Sequence, residues 1–243
     1  MATETERGLG GRALRRRGLV GHHQTTASTA GSDTVDWSPV GSVCGRPVDQ
    51  WSMGGVSIAS SEAGILAPCA DTDNTTQLGP WQTTYTTAPL AKAATVAWPI
   101  TATVYASANT AETEWVAEVE EVTPNGTSYP LTEGALLGSL RATDPSKSWT
   151  SNGVTVLPYH PYTQASAQPV VPGATEEYQI QVFPTLVTLA AGDSLRVTIS
   201  TTDTPHLVPL PSQLAKLVGG VYNIQRTPTA PSSLTVELDP ALS

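Results

Sequence analysis

From residue 79 onward, apolar and polar positions alternate with a period of two. Trp115, Ala117 and Val119 alternate with Val116, Glu118 and Glu120, and Ile100, Ala102, Val104 and Ala106 alternate with Thr101, Thr103, Tyr105 and Ser107. The same spacing returns at Tyr178, Ile180 and Val182, at Leu195, Val197 and Ile199, and at Leu234, Val236 and Leu238. This is the period of strands with one buried face. Gln82 to Thr87 is Thr-rich and adds a further strand before Pro89. Thr123-Pro124-Asn125-Gly126 interrupts the pattern. Pro fixes one turn angle and Asn-Gly supplies positive φ cheaply, so a hairpin is predicted there. Two further runs follow, Thr127 to Leu131 and Ala135 to Arg141.

Breaks in the alternation set the rest of the organisation. Ala190-Ala191-Gly192-Asp193 predicts a turn, and residues 212–218 after Pro209 and Pro211 predict a short helix. Residues 142–175 have weak periodicity and five prolines, which predicts a long crossing loop that is functional or packs over a neighbour. Seven to nine short strands with turn-rich links and little helix predict an all-β fold, an antiparallel β jelly roll or sandwich over residues 79–243. Residues 34–78 hold Trp37, Trp51, Cys44 and Cys69 among many Gly, Ser and Asp, and read as an irregular extended segment. Residues 1–33 are Gly, Arg, Ser and Thr without periodicity, and read as a disordered tail.

Charge narrows the partners. The net charge is −9, but the first eighteen residues carry five Arg against two Glu, so the remaining chain stands at −12. An acidic body does not suit nucleic acid or an anionic membrane, where Lys and Arg must meet phosphate. No apolar run reaches the length of a membrane helix. No apolar core follows the N-terminal arginines, so a signal peptide is not expected in this chain.

Candidate chemistry is sparse. Cys44 and Cys69 stand 25 residues apart, which does not match a zinc pair. Either they form a disulfide, worth about 3 kcal/mol on the loop-entropy account and implying an oxidising compartment, or they are separate thiols. Gly-x-Ser-x-Gly does not occur, and Ser57 in Gly55-Val56-Ser57-Ile58-Ala59 precedes a poor helix. His206, near Asp203, lies in a proline-rich loop, where Asp203 suits local capping better than a triad. His160 is likewise a loop residue. Glu118 and Glu120 share one strand face, which reads as a solvated outer face rather than an acid/base pair. Asp71, Asp73 and Asn74 offer oxygen ligands but no EF-type loop. No catalytic residue, cofactor or metal is therefore expected. Trp149, Tyr159 and Tyr162 in the long loop are expected at an interface, or stacked on a ligand such as a sugar.

An ordered series of motifs points further. Tyr85-Thr86-Thr87-Ala88-Pro89-Leu90, Pro99 to Ser107, Glu114-Trp115-Val116-Ala117, Pro124-Asn125-Gly126, Leu131-Thr132-Glu133-Gly134, Phe183-Pro184-Thr185 and Ala191 to Ser200 occur in that order. Over residues 79–239 this series resembles the C-terminal domain of the cocaine esterase and X-Pro dipeptidyl-peptidase family of serine hydrolases. The resemblance implies a galactose-binding-like jelly roll that follows and packs on an α/β-hydrolase domain. It implies that the catalytic Ser, Asp and His lie in that other domain, and none maps onto this chain. It also implies an extracellular parent if the cysteines pair, and an exposed docking surface through which this chain could self-associate. The alternative is a carbohydrate-binding jelly-roll module.

Overall fold

The computed structural model describes residues 23–26, 30–39, 80–204 and 207–239. Two antiparallel sheets pack face to face. The larger is built on β5 (Ile100–Ala108). One edge of β5 takes β10 (Glu176–Val182), with Val182 opposite Ile100 and Glu176 opposite Ala106. Its other edge takes β15 (Ser233–Val236) near the start and β13 (Val221–Thr227) near the end. β1 (His23–Thr26) and β2 (Ser32–Asp36) add outside β15 and β13. The second sheet runs in the order β3 (Gln82–Thr86), β12 (Ser194–Ser200), β6 (Glu114–Val122), β7 (Ser128–Leu137). The chain crosses between sheets after β5, after β7 and before β13, which is jelly-roll connectivity. A three-stranded sheet joins β4 (Ala94–Val96) to β11 (Val187–Leu189) and β16 (Leu238–Asp239).

The strand periodicity places the core where alternation predicts it. On β5, Ile100, Ala102, Val104 and Ala106 face inward. From the second sheet, Trp115 projects between Tyr178 of β10 and Tyr222 of β13, with ring centroids 5.3 and 5.0 Å away and planes tilted by 46° and 50°. All three are buried. Tilted rings at this spacing are favoured by the aromatic quadrupole, about 0.5–1.5 kcal/mol per pair beyond area burial.

Both open edges of the sandwich are closed. At one, β7 meets β10: Phe183 N–H donates to Glu133 O (3.0 Å) and Thr132 Oγ1 donates to Phe183 O (2.7 Å). Gly134 lies at this seam, where an added Cβ would strike Gln181 O and come within 2.7 Å of Val182 Cα. The sequence predicts a break at Thr132–Gly134, yet β7 runs unbroken with a register shift opposite Val119 and Glu120. Gly134 is there for close backbone approach, not for a turn. At the other edge Asp36 N–H donates to Pro80 O (2.8 Å).

Turn chemistry follows sequence. Gly126 (φ 86°) and Gly192 (φ 95°) hold the left-handed positions of the two expected turns. The helix α1 (Pro211–Leu217) starts on Pro. Two regions differ. The long loop contains a hairpin of β8 (Trp149–Ser151) and β9 (Val154–Leu157), turned by Asn152 (φ 50°) and Gly153 (φ 81°). Asn-Gly is a strong hairpin signal, masked by the surrounding prolines. Residues 23–26 and 32–33, assigned to a disordered tail, are paired in the larger sheet. Edge pairing uses backbone hydrogen bonds and needs no apolar alternation, so the pattern could not reveal it.

Gly134→Ala is expected to cost about 1–3 kcal/mol from overpacking, lowering the melting temperature by roughly 2–12 °C for a chain of this size. An unchanged melting temperature in a calorimetric scan would contradict the seam.

Candidate functional site

The acidic face of β6 does not stand in water. Glu118 and Glu120, expected on a solvated sheet face, are buried, Glu120 completely. Cross-strand neighbours explain it: Ser128 Oγ and Thr198 Oγ1 both donate to the Glu120 carboxylate, and Arg196 Nη1 lies 3.7 Å from it. A buried carboxylate persists when paired and hydrogen-bonded. Its partners sit on β7, across the hairpin, and on β12, 78 residues away, and no single-strand pattern reports them. With every near group a structural partner, Glu120 is a cross-strand tie rather than an acid or base.

A second buried acidic group surrounds Trp37. Its indole Nε1 donates to Glu114 Oε2 (3.2 Å). Glu112 Oε1 accepts from Thr113 N–H (3.1 Å) and Ser139 N–H (2.8 Å). Burial first, then the charges of Asp203 and Glu112, raise Glu114 from the ordinary carboxyl range to about 7, against the lowering effect of Trp37. Asp203 is buried here and its backbone carbonyl accepts from Leu207 N–H (2.9 Å).

Asp33 forms a third cluster. Arg226 donates Nε (2.5 Å) and Nη2 (3.0 Å) to its two oxygens, and Tyr85 OH donates at 2.6 Å. Burial alone would raise Asp33, but these partners hold it below its usual value. Burial, then Asp33, push Tyr85 well above the usual phenol range. The trio ties β2 to β13 and to β3 of the facing sheet. It borders an inter-sheet cavity of about 570 Å³ walled by Val104, Leu195, Val197 and Ile199.

His160 is no catalytic base either. It is buried, with Nδ1 3.1 Å from Ala142 O and Nε2 2.8 Å from Gln179 O, so both nitrogens face backbone carbonyls. Cys44, Cys69, Ser57, His206 and the Asp71–Asn74 ligand candidates lie outside the described residues. Among the described residues no group of three His, Cys, Asp or Glu is placed to hold a metal ion.

The three loop aromatics are exposed as an interface or ligand site requires, but they do not converge. Tyr159 carries Lys147 Nζ 4.8 Å from its ring centroid, and Tyr162 stacks on His160 at 5.3 Å. Trp149 instead shares a cleft with Trp98, which the sequence reading passed over. A tryptophan beside Pro99, ahead of the first residue of β5, was the available signal. Apolar side chains are also exposed along one segment: Leu207, Val208, Leu210, Leu214 and Val218. Of these Leu214 lies within α1 and Leu210 and Val218 are its N-cap and C-cap, while Leu217 turns into the core.

Comparison with known proteins identifies the family. The family model described as the X-Pro dipeptidyl-peptidase C-terminal non-catalytic domain matches residues 2–235, so the chain belongs to that family. The match also takes in residues before 79, where the sequence resemblance stopped. Two mycobacterial proteins, from Mycobacterium bovis and Mycobacterium tuberculosis, are named as candidate serine esterases. Each is 27% identical over 129 residues, 53% of this chain and 20% of its own length. Among solved structures, an α-amino acid ester hydrolase matches 86% of this chain with 32% of its own (TM-score 0.59, 15% identity). An aminopeptidase from a marine sediment Thaumarchaeota archaeon matches 88% with 33% (TM-score 0.56, 17% identity). A CocE/NonD family hydrolase from Staphylococcus aureus matches 65% with 30% (TM-score 0.53, 13% identity). The chain thus spans a fifth to a third of the proteins it resembles.

Glu114 gives the site a pH signature. Below about pH 4.5 it is protonated folded or unfolded; between 4.5 and 7 only the folded chain keeps the proton, so stability falls as pH rises through that window. Glu114→Gln keeps an acceptor for Trp37 and removes the charge. It should stabilise the chain by about 1–3 kcal/mol above pH 7 and leave it nearly unchanged near pH 5. Urea unfolding at both pH values would show this; equal effects at both would refute it.

Proposed function

We propose that this chain is the accessory C-terminal part of a larger serine hydrolase that cleaves ester or X-Pro peptide acyl bonds, with the Ser, His and Asp in an α/β-hydrolase domain. The observation that carries the reading is the exposed stripe Leu210, Leu214 and Val218, extended by Leu207 and Val208. Leu214 on α1, with Leu210 and Val218 exposed at its two caps while Leu217 faces the core, makes an aliphatic segment suited to a partner. The occupant is the hydrolase domain: the solved relatives are about three times the length that this fold fills, and the chain's family is the non-catalytic one. Without that domain, the same stripe supports self-association.

Ester and dipeptidyl substrates enter only through the kinds of protein the chain resembles, named as serine esterases, an α-amino acid ester hydrolase and an aminopeptidase. An extracellular parent is supported by Cys44 and Cys69 as a candidate pair.

The purified chain should release p-nitrophenol from p-nitrophenyl acetate, and p-nitroaniline from Ala-Pro-p-nitroanilide, no faster than buffer. A saturable rate abolished by Ser57→Ala would overturn the accessory reading.

A further inference from the structure

The cleft at Trp98 and Trp149 is built by three separate parts of the fold. Hairpin β8–β9 lies over the start of β5, where Thr101 Oγ1 donates to Val156 O (2.9 Å). Thr235 of β15 is opposite Thr101 and turns to the same outer sheet face. Trp98, in the link from β4 to β5, closes the cleft from the other side, giving a space of about 430 Å³. That lies within the roughly 300–1,000 Å³ typical of small-molecule sites.

Its lining is chemically selective. Trp98 and Trp149 leave 50% and 59% of their surface open. The lining also includes the hydroxyl residues Thr150, Ser151 and the buried Thr235, the apolar Pro99 and Val156, and one carboxylate, Glu237. Lys and Arg are absent from this lining, so an anion has no counter-charge. Two indole faces attract the weakly positive C–H face of a saturated ring. Hydroxyls both donate and accept, and a carboxylate accepts from paired hydroxyls. A neutral polyhydroxylated ring suits two exposed indole faces beside hydroxyls and a carboxylate.

We propose that this cleft is a carbohydrate-binding site for a neutral pyranose, stacked on Trp98 and Trp149 with Glu237 accepting from its hydroxyls. It stands apart from the apolar α1 stripe. The cleft sits at the first residues of β5, whereas α1 is tied to its far end, where Asn109 Nδ2 donates to Gly219 O (3.0 Å). Nine residues of strand put roughly 25–30 Å between them. The proposal does not depend on the accessory reading.

The test titrates the full chain with galactose, mannose, maltose, cellobiose and xylobiose, following tryptophan fluorescence and heat, with choline as the cationic control. At least one sugar should give a saturable signal. Trp98→Ala and Trp149→Ala should each weaken it by about tenfold or more, and Glu237→Gln should also weaken it. Tyr162→Ala, outside the cleft, should bind as wild type. Unchanged circular dichroism will establish that the variants are folded. No saturable signal with any of the five sugars overturns the proposal. So does binding of choline alone, which would make the two indoles and Glu237 a cation site, or sugar binding that survives both tryptophan substitutions.

Discussion

Trp115 is the contact on which the sandwich depends. It reaches from β6 into the facing sheet and lies between Tyr178 and Tyr222, on β10 and β13, at opposite edges of β5. One side chain thereby fixes the second sheet against both flanks of the central strand. Tyr178, pushed up to about 12 chiefly by burial, remains neutral across ordinary pH, so the cluster is insensitive to acid and base there. Around it Gly134 allows β7 to close on β10, and Asp33, Arg226 and Tyr85 close β2 and β13 against β3.

The chain's polar groups are spent on holding this architecture. Glu120 ties three strands, Glu112 caps the turn after β7, and His160 clasps the long loop to β10. Each is the residue type a reaction centre would use, and each has its hydrogen-bonding capacity met by neighbours within the fold. These three groups are buried among structural partners rather than presented at an open cleft. Outward-facing are an aliphatic segment around α1 and an aromatic cleft at the start of β5, surfaces suited to binding.

Much of this was legible in the sequence. Period-two alternation located β5, β6, β10 and β12, and Asn125-Gly126 and Gly192-Asp193 located turns, because strand and turn signals are local. Leu131-Thr132-Glu133-Gly134 reads as a gap between two runs until β10 is placed against β7. The burial of Glu118 and Glu120 was not legible, since it depends on Thr198 and Ser128 arriving from other strands. Nor was the cleft: Trp98 and Trp149 are 51 residues apart and meet only because hairpin β8–β9 folds back over β5. Short polar edge strands such as β1 and β2 leave no hydrophobic signature to read.

The central claim is that the α1 face is where the hydrolase domain sits. Hydrogen exchange over residues 207–218 tests it most directly, comparing this chain alone with the intact parent enzyme. The account predicts slower exchange of this segment in the parent, with β5 and β10 unchanged. Equal exchange of residues 207–218 in the two proteins would contradict it.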